Sequence, residues 1–153
     1  MYSKLKRPLT VLIAEDDPDD RFLIQEAMSS LNIFDKIVFV EHGQELMDFL
    51  RHCGQYQGQT VTPDMLMIDL NLPVKSGFEA IREIKSSKNL RRIPIVVLTV
   101  SDRKDAINAA YDLGVSGYIT KTNSSEQFSA IMRQFARYWF ETVFLPTDIL
   151  VET

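Results

Sequence analysis

A chain of 153 residues is long enough for one domain with a real core and too short for two comfortable ones. Hydrophobic residues make up 45% and charged residues 25%, as in an ordinary globular protein, and a net charge of -4 argues against a general affinity for nucleic acid. No apolar run reaches the length of a membrane span, no signal-peptide pattern opens the chain, and the lone Cys53 can form no internal disulfide, so a reducing, cytoplasmic setting is the default expectation.

Residues 1–7 read as an N-terminal arm holding the one locally basic run, Lys4-Leu5-Lys6-Arg7, expected to be solvated. The first strand is "TVLIA" (10–14). After it comes a helical segment, "DDRFLIQEAMSSL" (19–31), in which Ile24, Ala27, Met28 and Leu31 make one apolar stripe. "KIVFV" (36–40) is the second strand, and "GQELMDFLRH" (43–52) the second helix, with Leu46, Phe49 and Leu50 together. The Gln-rich loop "CGQYQGQTVTPD" (53–64) reads as a polar surface insertion without an inferred role. Then come "DMLMID" (64–69), a helix with Phe78, Ile81 and Ile84 on one side, and the strand "IPIVVLTV" (93–100). A fourth helix offers Ala106, Ala109, Ala110 and Leu113 as its stripe, with Gly114 as a stop. "GYIT" (117–120) is the fifth strand, and a last helix from about Ser124 carries Phe128, Ile131, Met132 and Phe135.

Several of these strands are apolar at consecutive rather than alternate positions, as expected of strands covered on both faces. Five β-α units in alternation imply an α/β protein with a doubly wound, five-stranded parallel sheet over residues 8–140. Residues 141–153 would extend the last helix and form a tail. In such sheets ligands bind outside the carboxyl ends of the strands.

That rule gives weight to "VLIAEDDPDD" (11–20), where an apolar strand ends in five acids broken by one proline. Pro18 suits the first helical position, which makes Asp17 the N-cap and places Asp19 and Asp20 in the first turn, where carboxylates meet the positive end of the helix dipole. Helix capping accounts for Asp19 and Asp20; for Asp17, capping and function both stand. Glu15 and Asp16 fall before the cap, at the mouth of the sheet. The third strand ends on Asp69, the fourth on Thr99, and Lys121 follows the fifth. Three carboxylates at close quarters require a compensating cation. Mg²⁺ is the expected ion, being hard and content with few carboxylates. The other reading is a Lys121 salt bridge that holds the rim together without chemistry.

These pieces, Glu15-Asp16, "IDLNLPVKSG" around Asp69, Thr99 closing "IVVLT" and "GYITK" ending on Lys121, together resemble the receiver domain of two-component response regulators over residues 8–140. The resemblance implies a flavodoxin-like fold and a phosphoryl group accepted on Asp69 from a phosphohistidine of a sensor histidine kinase. It implies Mg²⁺ held directly by Asp16, by Asp69 and by the backbone carbonyl of Asn71, with Glu15 reaching the ion through water. Lys121 and the Thr99 hydroxyl would contact the phosphoryl oxygens. Tyr118 would act as a switch, its alternative being an ordinary core tyrosine, and the face of the fourth helix, fifth strand and fifth helix would carry the signal. Two positions depart from the family pattern. Val100 stands where a small residue is usual, and is expected to narrow access to the phosphoryl group and slow its hydrolysis. Thr122 stands where a cis proline is usual, so a trans Lys121–Thr122 bond or a rearranged loop is expected.

The tail "RYWFETVFLPTDILVET" (137–153) is unusually apolar, and its helical pattern continues through Trp139, Val143 and Phe144 up to Pro146. It resembles the "WF…LP" ending of single-domain regulators partnered with bacterial phytochrome-type kinases, which dimerise. Trp139, Phe140, Phe144 and Leu145 would then either fold back on their own core or form a homodimer interface together with the signalling face. A membrane-surface helix fits less well, its polar face lacking an excess of Lys or Arg. An Mg²⁺-dependent phosphatase with an aspartate nucleophile is the enzymatic alternative. It would place an acid two residues after the nucleophile, where this chain has Asn71, so at most slow self-dephosphorylation is expected. A nucleotide- or flavin-binding domain would need a Gly-rich loop where Glu15-Asp16-Asp17 stand.

Overall fold

The computed structural model describes residue 7, residues 9–32 and residues 34–151. Five strands, β1 (Leu9–Ala14), β2 (Phe34–Val40), β3 (Met65–Ile68), β4 (Ile95–Thr99) and β5 (Gly117–Thr120), alternate with α1 (Pro18–Ser29), α2 (Gly43–Arg51), α3 (Gly77–Ser86), α4 (Lys104–Asp112) and α5 (Ser125–Ala136). All pairings are parallel, in the order β2-β1-β3-β4-β5. The consecutive apolar runs are explained at once. Leu12, Leu66, Ile68, Ile95 and Val97 point to the side covered by α2 and α3. Val11, Ile13, Met65, Met67, Val96 and Leu98 point to the side covered by α1 and α5. Each central strand buries both of its faces, and the alternation of chain direction is unnecessary when right-handed crossovers supply both layers.

Helix starts follow local chemistry. Asp17 caps α1, its side chain accepting from the amides of Asp19 and Asp20, with Pro18 at the first helical position. His42 caps α2 through Nδ1, and Ser76 and Ser124 cap α3 and α5. The expected stripes hold for α1, α2, α3 and α5, though Leu31, Phe78 and Ile131 are only half-buried. In α4 the stripe is corrected: Ala110 is buried, Ala106 and Leu113 are half-buried, and Ala109 is exposed. Ala110 is the one buried residue described for α4, so this helix meets the core along a narrower line than its alanine stripe implied. The 53–64 loop is more ordered than a polar insertion requires. A short 3₁₀ turn, Gly54–Tyr56, sets Tyr56 edge-on against Phe49 at 5.0 Å between ring centres. The Gln59 amide donates to the carbonyls of Phe49 and Val61.

The chain end departs further from expectation. The last helix continues past α5 as a π-helical turn, Arg137–Thr142, but Val143 is already extended and Phe144 lies outside the helix. A separate helix, α6 (Pro146–Val151), follows. Phe140 and Leu145 are buried and Trp139 packs half-buried on the α1–α5 side, so these three fold back on their own core. Tyr138 and Phe144 remain more than half exposed. Arg7 is not solvated. Its guanidinium bridges Asp64 at the start of β3 (2.8 Å) and Asp148 in α6 (2.9 Å) and donates to the Thr147 hydroxyl. Lys4, Leu5 and Lys6 lie outside the described residues.

Candidate functional site at the carboxyl rim

Ala14 and Ile68 are register partners, so the residues that follow them, Glu15 and Asp69, emerge side by side. The backbone holds both: the Glu15 amide donates to Val40 O at 2.9 Å and the Asp69 amide to Ala14 O at 3.1 Å. On the other side of Asp69, β4 ends on Thr99, and the Lys121 amide donates to Thr99 O at 2.8 Å. A sheet of this order therefore brings four of the expected residues to one rim. Gly77 makes the approach possible. A Cβ there would lie 2.3 Å from the Asp69 carbonyl oxygen, and the Gly77 amide instead donates to Leu70 O.

The two Asp69 oxygens have different partners. Oδ1 accepts from the buried Thr99 hydroxyl at 2.9 Å and from the Asn71 amide at 3.0 Å. Oδ2 accepts from Lys121 Nζ at 2.8 Å. Asp69 is 6% exposed and Glu15 1%, whereas Asp16 is open to solvent. One carboxylate oxygen from each of Glu15, Asp16 and Asp69 lies within 4.8 Å of the others. Burial pushes the Glu15 carboxyl up from its usual 4.5 to about 7; Lys121 opposes the rise and the Asp69 charge adds to it. Burial works against the Lys121 ammonium, but hydrogen bonds to Asp20, Asp69 and Glu15 outweigh it and raise its pKa.

This donor set fits a hard divalent cation. Glu15 Oε1 is buried and has only the Lys121 ammonium beside it, so this carboxylate keeps lone pairs that a metal ion or its water can take up. The carboxylates are oxygen-only donors, and one of them faces solvent, which leaves an entry path.

The expected residues come together: Glu15, Asp16, Asp69, Asn71, Thr99 and Lys121 all border the rim. Tyr118 sits apart on β5, half-buried, and its hydroxyl donates to the Ser101 carbonyl at 2.8 Å. Val100 is 67% exposed beside Thr99. Among the described residues no peptide bond is cis, so Lys121–Thr122 is trans, as its sequence implied. Two neighbours were missed. Asp20, taken only as a helix-terminal acid, accepts from Lys121 Nζ at 2.8 Å. Arg21 donates to the Glu15 carbonyl at 3.2 Å and pairs with Glu41 at 3.3 Å. Asp20 could not be told from Asp19 in the sequence, since both are acids in the first turn of α1 and the partner lies 101 positions away.

A doubly wound sheet with acids, a hydroxyl and an ammonium converging on one strand-end aspartate defines a class, and the sequence agrees: it matches the family described as "Response regulator receiver domain" over residues 11–133, and the chain belongs to that family. Receivers are phosphoacceptor signalling domains, with a divalent ion at an acidic site. More particularly, the chain is 36% identical over 146 residues to response regulator Rcp1 of Synechocystis sp., covering 95% of this chain and 99% of that one. In structure it is similar to the phosphorylated cyanobacterial phytochrome response regulator RcpA (39% identity, TM-score 0.86, 92% and 99% of the two chains). It is also similar to the Mn²⁺-bound form of Rcp1 (36% identity, TM-score 0.85, 91% and 99%).

Proposed function

We propose that this chain is a response regulator that receives a phosphoryl group on Asp69 from a phytochrome-type sensor histidine kinase and signals by a phosphorylation-dependent change of its α4–β5–α5 face. The observation that carries the reading is the geometry of Asp69. Its carboxylate is approached by a hydroxyl on one oxygen and an ammonium on the other, both from strand ends held by the sheet. Phosphoryl transfer depends chiefly on positioning and on neutralising charge on the moving oxygens, which is what such a surround provides. The similarity to the phytochrome regulators RcpA and Rcp1 supports the choice of kinase.

In this reading an Asp69 oxygen attacks phosphorus, the new O–P bond forms as the P–N bond to the donor histidine breaks, and the imidazole leaves with the electron pair. Glu15, Asp16, Asp69 and the carbonyl of Asn71 would hold Mg²⁺, which when bound neutralises negative charge on the transferred group. Lys121 pairs with one phosphoryl oxygen, and the Thr99 hydroxyl gives up Asp69 to bond another. The product carries nearly two charges where one stood. As Thr99 moves, Tyr118 releases the Ser101 carbonyl and turns toward the vacated space, which changes the surface of α4 and β5. The same face, extended by the exposed Tyr138 and Phe144, forms a homodimer; Tyr111 on α4 is exposed beside it. No described helix is long and apolar enough to cross a membrane, and a cytoplasmic location suits a kinase partner.

Acetyl phosphate with Mg²⁺ tests the reading by intact mass. One phosphoryl group per chain is expected, lost in Asp69→Asn, without multiple-turnover hydrolysis of unrelated phosphomonoesters. Uptake that survives in Asp69→Asn would sink it.

A further inference from the structure

We propose that Asp20 is a positioning residue that tethers the Lys121 ammonium during phosphorylation. The inference rests on the reading of Asp69 as acceptor and goes beyond it. A lysine ammonium has three donor hydrogens. Here they face three carboxylates: Glu15, Asp69 and Asp20, the last two at 2.8 Å. Glu15 and Asp69 belong to the acidic group that fits a divalent ion, and Asp20 does not. A divalent ion held by Glu15, Asp16 and Asp69 would repel the ammonium and compete with it for the Glu15 and Asp69 carboxylates. Asp20 is then the partner that stays with Lys121.

Asp20 is built for that task. It lies in the first turn of α1, its amide held by the Asp17 side chain at 3.1 Å and its charge favoured by the helix dipole. Its side chain is one-third exposed (33%), so its desolvation cost is moderate. Beside it, Leu23, Ile24, Leu98 and Phe128 line a small apolar depression that also borders Lys121. The lysine stem therefore has a wall to lie on, and the ammonium a fixed post at its far end. The donor released by Glu15 becomes free for a phosphoryl oxygen while the nitrogen stays in place. Capping alone needs none of this, because Asp17 already caps the helix.

The experiment compares wild type, Asp20→Asn and Asp19→Asn in acetyl phosphate at saturating Mg²⁺. Asp19 carries the same charge in the same turn, and among the described contacts only Asp20 reaches Lys121 from α1. Asp20→Asn is expected to phosphorylate about tenfold more slowly, in line with loss of one charge-assisted hydrogen bond, with Asp19→Asn near wild type. A second readout is independent of phosphate. Nitrogen-15 spectra of the Mg²⁺-loaded protein should show slowly exchanging Lys121 ammonium protons in wild type and Asp19→Asn, and not in Asp20→Asn. Unchanged rate in Asp20→Asn, equal slowing in both variants, or ammonium protection that survives in Asp20→Asn overturns the tether. If wild type itself takes no phosphate on Asp69, the functional reading falls first and the tether with it.

Discussion

Glu15 is the residue whose charge the rim controls most tightly. Burial holds its carboxyl near 7. In the metal-free protein it is therefore more protonated when folded than when unfolded between about pH 4.5 and 7. Folding stability from this group is fully present below the unfolded value and is lost as pH rises through about 7. Mg²⁺ needs the ionised form, so its binding near neutrality should expel about half a proton per ion, and affinity should climb as pH rises through 7. Calorimetry in two buffers of different ionisation enthalpy reads this directly; no buffer dependence at pH 7 would contradict it. Val100 makes a second residue-scale case. Its branched side chain stands exposed next to Thr99, and if it narrows the approach of water, as its size suggests, hydrolysis of a phosphoryl group on Asp69 is slowed. Val100→Ala should shorten the lifetime of the phosphorylated protein severalfold, followed by loss of the phosphorylated mass after the donor is removed.

At the scale of elements, the site depends on how closely the loop after β3 returns to its own strand. The Gly77 backbone passes so near Asp69 and Leu70 that a methyl group would meet main-chain atoms, which cannot rotate away. Gly77→Ala should cost about 1–3 kcal/mol in urea unfolding and slow phosphate uptake, because the strain is relieved by displacing Asp69 itself. Full stability in that variant would mean the loop adjusts elsewhere. Gly43 makes a comparable approach, with a Cβ placed 2.1 Å from the Lys75 carbonyl oxygen, and so ties α2 to the same loop. Helix α4 contrasts with both. It buries little beyond Ala110, and a weakly seated helix is the element best able to respond to a change at Thr99 and Tyr118.

Over the whole molecule, the Arg7 bridge joins the chain's beginning to its end on the side of the sheet opposite the rim. By pinning α6 it fixes which tail aromatics are covered. Phe140 and Leu145 serve the chain's own core, and Tyr138 and Phe144 stay more than half exposed, as the proposed dimer requires. The double variant Tyr138→Ala/Phe144→Ala should weaken self-association at least about tenfold in sedimentation, with little effect on folding or phosphate uptake. A wild type that stays monomeric at tens of micromolar, phosphorylated or not, would remove the dimer.

Local sequence was sufficient wherever structure is set by period or by a neighbouring residue. Runs of Val, Ile and Leu marked the strands, and Asp17-Pro18 marked the start of α1. The strand-end rule collected Glu15, Asp16, Asp69, Thr99 and Lys121 before any coordinates, because parallel strands necessarily finish on one edge. Other features depended on residues far apart in the chain. Asp20 reaches Lys121 across 101 positions and Arg7 reaches Asp148 across 141. Neither pair leaves a periodic trace. Trp139, Phe140 and Leu145 read the same whether they cover their own core or another chain's, since apolarity states that a surface must be buried and never against what. That choice belongs to the packed molecule, where distance through space replaces distance along the chain.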